Sequence, residues 1–97
     1  MIKIKISNNS ISLKGHANFE NYGKDIVCAA VSSLVTCTVN NIYTVNKDAL
    51  SYNDDGKTIY INVLNDELCL KLLNNLKEML ISLEKDYPKN IMIESEE

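Results

Sequence analysis

Two periods divide the chain. Residues 2–6, Ile-Lys-Ile-Lys-Ile, alternate strictly between apolar and polar, the period of a strand with one buried face. Asn8-Asn9-Ser10 reads as a turn. Residues 10–15 alternate again, with Ile11 and Leu13 on one side. Together these runs predict a hairpin that ends at Gly15-His16. Residues 17–24 carry no period and read as a loop with Gly23 near its end. Asp25 is placed as a helix N-cap, because its carboxylate can accept from the open amides of a first turn. From Ile26 to about Asn40 the chain is apolar nearly all round, which predicts a buried helix. Its alanines permit close packing, while its β-branched valines lower helix propensity.

Residues 43–52 predict a strand with an irregular start, and Asn53-Asp54-Asp55-Gly56 a hairpin turn. Residues 58–64 alternate and are rich in β-branched and aromatic side chains, so they predict another strand. Asn65 or Asp66 then caps a second helix that runs to about Lys85. Leu68, Leu72, Leu76, Met79, Leu80 and Leu83 form its apolar stripe, and Pro88 ends it. Residues 90–94 predict a last short strand, followed by a frayed acidic tail. The order β-β-α-β-β-α-β defines an α+β fold in which one mixed β-sheet carries two packed helices. Residues 1–97 read as a single domain, with no internal repeat and no linker.

Composition narrows the function. A chain of 97 residues supports one modest core, and domains this small often gain stability by dimerising. The chain is 45% hydrophobic and 24% charged, as in an ordinary globular domain. A net charge of −3 without a basic run argues against direct nucleic-acid binding, which needs clustered Lys and Arg. Cys28, Cys37 and Cys69 are odd in number and have no close pairing, so they do not form a disulfide framework. With no CxxC and one histidine, a zinc site would lack ligands, and neither a metal nor another cofactor is expected. The apolar start is too short for a signal peptide. No unbroken apolar run reaches the roughly 20 residues that span a bilayer. A cytoplasmic setting with reduced thiols is expected.

The single histidine and one cysteine carry the chemistry. His16 ends a strand, and Cys28 follows twelve residues later. If Asp25 is the cap, Cys28 is the third helical residue, beside the open amides and the positive end of the helix. That setting lowers a thiol pKa and favours the nucleophilic thiolate. A histidine within hydrogen-bond reach completes a thiolate–imidazolium pair. Asp25, Cys28 and Ser32 stand at i, i+3 and i+7 and share one helix face. Asp25 is a candidate to orient His16, and Ser32 to hydrogen-bond near the sulfur. Each feature also has a plainer account. Helical cysteines are commonly inert small hydrophobes, Asp25 alone can be only a cap, and Ser32 only a small helix residue. Cys37 and Cys69 are read as structural, and Asp54-Asp55 as turn chemistry.

The stretch GHANFENYGKDIVCAAVSSL, residues 15–34, resembles the ribosomal-processing cysteine protease (Prp) family of Firmicutes and their relatives. The family signature is GHA, a loop, then GxDIVCAAVS. Element order and length are similar over essentially the whole chain. The resemblance implies a cysteine endopeptidase that removes the short, hydrophobic N-terminal extension of large-subunit ribosomal protein twenty-seven. It implies His16 as general base and Cys28 as nucleophile, with Gly15, Asp25 and Ser32 supporting. It also implies a homodimer. Phe19, Tyr22 and Gly23 become candidates for a substrate loop, with Gly23 as its hinge.

Two other classes compete. A non-enzymatic ribosome-associated peptide-binding or assembly factor would hold the peptide without cutting it, and would tolerate Cys28→Ser. A thiol switch built on Cys28 would need a resolving cysteine, and Cys37, about two and a half turns along, is poorly placed. An RNA-binding domain ranks third, given the acidic balance.

Overall fold

Alternation is the local rule that shapes the sheet. In β1 (Ile2–Ile6), Ile2 and Ile4 are buried while Lys3 and Lys5 are exposed. In β2 (Ser10–Lys14), Ile11 and Leu13 point into the same core. The two strands pair antiparallel, Ile4 opposite Leu13 and Ile6 opposite Ile11. In this computed structural model, residues 1–15 and 26–96 are described. The expected loop over 17–24 and the expected cap at Asp25 fall outside them.

The remaining elements are α1 (Ile26–Asn46), a 3-10 turn (Lys47–Ala49), β3 (Leu50–Asp54), β4 (Thr58–Val63), α2 (Glu67–Asp86) and β5 (Ile91–Ser95). The sheet order is β3-β4-β2-β1-β5. β5 runs parallel to β1, and the other neighbours are antiparallel. This is the expected α+β fold, a mixed five-stranded sheet with two helices in one compact domain. Both helices contribute buried side chains to one core with the sheet's inner face. The outer face carries Lys3, Lys5, Ser12, Lys14 and Tyr60.

Side chains tie the elements together. Lys77 of α2 donates to the main-chain oxygens of Ser7 and Asn8, which pins the β1–β2 turn to the helix. Asp66 caps α2: its carboxylate accepts from the Cys69 amide at 2.9 Å and from the Asn46 side chain at 2.9 Å. That second bond joins the end of α1 to the start of α2.

Three expectations are corrected. Residues 43–46 continue α1 instead of starting a strand, and β3 begins only at Leu50. The helix persists because Ile42 still packs fully buried in the core, and it stops where the Asn46 side chain accepts from the Asp48 amide. Second, α1 is not buried all round. Val27, Val31, Val35, Thr38 and Ile42 face the core, while Ile26, Tyr43 and Val45 are exposed. One sheet and one neighbouring helix can cover only part of a helix's circumference. Third, the buried stripe of α2 is Cys69, Leu73, Leu76 and Leu80, and Leu68 is exposed. Leu76 and Leu80 are buried as expected, Leu72 and Leu83 pack half-buried against the core, and Cys69 and Leu73 join the buried stripe.

Ile26–Ala49 is long and apolar enough to cross a membrane by length and composition. Counting unbroken apolar runs missed this, because Ser, Thr and Asn interrupt the run without lowering its mean hydropathy much. A core helix meets the same criterion. Here the buried residues of α1 recur on the face that packs on the sheet and α2.

Candidate active site

The inner edge of the sheet and one face of α1 form the walls of a cleft of about 650 Å³. Helical spacing aligns the α1 wall, because residues four apart stand one above the other. Cys28, Ser32 and Thr36 therefore line it in a row. Strand register supplies the opposite wall. Asp54 pairs with Ile59, which pairs with Leu13, so all three point toward the helices and all three line the cleft. Tyr52, two residues from Asp54, faces the same way and is exposed.

Gly15 lines the cleft at the end of β2. Its φ is +95°, and a Cβ there would stand 2.6 Å from the Met1 carbonyl oxygen. Only glycine fits this position without shifting backbone. Cys28 lies in the first turn of α1, half-buried and packed against the core. A thiol at this end of a helix sits near the positive end of the helix dipole, which favours the thiolate.

Gly15, Cys28 and Ser32 are thus brought together at one cleft. His16, Phe19, Tyr22, Gly23 and Asp25 lie outside the described residues. The other cysteines stand apart from the cleft. Cys69 is fully buried, and its Sγ lies 3.9 Å from the Ile42 carbonyl oxygen. Burial, and then the nearby Asp66 carboxylate, push its thiol pKa up. Cys37 is exposed on α1 and accepts from the Asn41 side chain at 3.7 Å. Among the described residues no group of three or more His, Cys, Asp or Glu could hold a metal.

The hairpin wall was missed in the sequence. Asp54 was assigned to turn chemistry, and it does accept from the Gly56 amide at 2.9 Å. It also lines the cleft with Tyr52, Gly56 and Lys57. No local pattern marks these residues, since strand order alone brings them to the cleft that Cys28 lines. The turn assignment suits Asp55, whose carboxylate accepts from the amides of Thr58 and Lys57. Those bonds, Thr58's first, lower its pKa. A larger hollow, about 980 Å³, lies on the outer face of the sheet. It is an open surface lined mainly by lysines, serines and Tyr60, with isoleucines between them and no cysteine.

Residues 1–92 match the family model described as cysteine protease Prp. The ribosomal processing cysteine protease Prp of Mycoplasma genitalium is 30% identical over 106 residues, covering 99% of this chain and 97% of that protein. Its namesake in Staphylococcus aureus (strain Mu50) is 33% identical over 88 residues, covering 86% and 82%. The crystal structure of the essential ribosomal processing protease Prp from S. aureus, in complex with a covalently linked product peptide, matches with a TM-score of 0.90. It is 27% identical, and the match covers 99% of this chain and 100% of that one. On sequence and fold together, the chain belongs to the cysteine protease Prp family and is a cysteine protease.

Proposed function

We propose that the protein removes the N-terminal extension of the precursor of large-subunit ribosomal protein twenty-seven during ribosome maturation, with Cys28 as nucleophile and His16 as base. One observation carries the reading: Cys28 sits in the first turn of α1 and lines an open cleft of about 650 Å³ that Gly15 and Ser32 also line. Residues 15–34 carry the family signature, and a relative's crystal structure holds a covalently linked product peptide.

In this mechanism His16 takes the Cys28 proton, and the thiolate attacks the scissile carbonyl carbon. The leaving amine departs with a proton from the imidazolium. Water, deprotonated by His16, then hydrolyses the thioester and returns the thiol. Main-chain amides at the start of α1 would hold the developing oxyanion. Asp25 orients His16, and Ser32 hydrogen-bonds near the sulfur. Phe19, Tyr22 and Gly23 serve recognition of the apolar residues of the substrate. Residues 1–97 act as one protease domain in the cytoplasm, where thiols stay reduced, as a homodimer. The exposed apolar side chains Ile26 and Val45 of α1 support an association between copies.

The test is digestion of a synthetic precursor peptide spanning the processing region, read by mass spectrometry for the wild type, Cys28→Ala and His16→Ala. One internal cut, lost in both variants, is expected. Tight binding without a cut, surviving Cys28→Ala, would favour the peptide-binding assembly factor instead.

A further inference from the structure

The cleft that holds Cys28 does not end at Thr36. A second hollow of about 420 Å³ follows it, lined by Val39, Asn40, Tyr43, Lys47, Leu50 and Tyr52. Tyr52 lines both hollows, so they adjoin at its ring. On the helix side, Cys28, Ser32, Thr36, Asn40 and Tyr43 recur every three or four residues along α1, and Lys47 follows in the 3-10 turn. On the sheet side, Leu50, Tyr52 and Asp54 alternate along β3 and face the helix. β3 is also an edge strand, with only β4 beside it in the sheet. Such an edge offers main-chain groups to an extended chain.

The geometry points to a distal substrate subsite, formed by Val39, Tyr43, Leu50 and Tyr52, that takes an apolar side chain of the same extended peptide five to seven residues from the scissile bond. The spacing follows from rise. Val39 and Tyr43 lie 11 and 15 residues beyond Cys28, or about 16–22 Å at ~1.5 Å per helical residue. An extended peptide advances ~3.3 Å per residue, which gives about five to seven residues. The lining sets the chemistry. Val39 and Leu50 pack half-buried against the core, and Tyr43 is 59% exposed, so an entering apolar side chain would cover a ring now in solvent. Lys47 and Asn40 leave only the rim polar. The inference rests on the protease reading and names which part of the peptide, beyond the cut, the enzyme holds.

The experiment compares kcat/KM for two synthetic precursor peptides, one with four residues on each side of the cut and one with eight. For the wild type the long peptide is expected to exceed the short by about tenfold, mostly through KM, as one buried aromatic contact would give. Serine in place of each apolar residue five to seven positions from the cut, tried on each side, should remove the advantage at one position. In Tyr43→Ala the long-to-short ratio should fall toward one, and Tyr43→Phe should restore it. Tyr60→Ala, on the outer face of the sheet, should keep the wild-type ratio. Equal kcat/KM for the two wild-type peptides, or a ratio unmoved by Tyr43→Ala, overturns the subsite and leaves the protease reading standing. If neither peptide is cut, the protease reading itself falls, and the subsite with it.

Discussion

Gly15 shows how one residue ties the strand to the chemistry. It closes β2 at positive φ, it has the Met1 carbonyl where a Cβ would be, and it lines the cleft with Cys28. A side chain there meets backbone, which cannot swing aside as a flexible side chain would. Gly15→Ala should therefore destabilise the fold by about 1–3 kcal/mol and lower activity at temperatures where the variant is still folded. A melting curve and a peptide assay together check this; an unchanged Tm would mean that the Met1–Ile2 backbone moves freely. Gly56 makes the contrast. Its φ is +87°, but a Cβ there would meet nothing within 4 Å, so only the turn conformation demands glycine.

Among the elements, α2 shows a cap that also works as a tie. Asp66 accepts from the first turn of α2 and from Asn46 at the end of α1. The Cys69 amide, and then the Asn46 side chain, hold its carboxyl below the usual carboxylate range. A group with a folded pKa below its unfolded value stabilises the fold fully above the unfolded value, about 4, and loses that contribution as pH falls through the folded value. Asp55, in the β3–β4 turn, shifts in the same direction. Thermal stability should therefore be level with respect to these two groups above about pH 5 and decline below pH 4. Asp66→Ala should lower Tm at pH 7 by several degrees and narrow its gap to the wild type in acid. A gap that stays constant from pH 7 to pH 3 would refute the linkage. The hairpin of β3 and β4 has a second role as a wall of the cleft, which neither strand announces by its own pattern.

At the scale of the whole molecule, the three cysteines report on three environments. Cys28 sits half-buried in the cleft, Cys37 is exposed on α1, and Cys69 is enclosed at the centre of the core. A thiol reagent at neutral pH should modify Cys28 and Cys37 in the native protein. It should reach Cys69 only when the domain opens, because both burial and a raised pKa oppose its thiolate. Labelling followed by peptide mapping across a denaturant series checks this. Modification of Cys69 in native buffer at the rate of Cys37 would show that α2 opens independently of the sheet.

The sequence by itself determined the type and order of the elements. Alternation in residues 2–6 and 10–14, the Asp66 cap and the Pro88 stop all act among neighbours a few positions apart, so they are written locally. The signature over residues 15–34, which contains Cys28, is likewise local. Only the tertiary structure decided how far α1 runs, because Ile42 keeps it helical by packing on distant residues. It also decided which side of α1 and of α2 is buried, since an apolar helix shows its period only when something covers one face. The second wall of the cleft is the clearest case. Tyr52 and Asp54 line the same cleft as Cys28 because β3 takes the sheet's edge beside β4. That is a choice among strand orders, made by long-range burial and absent from any window of the chain.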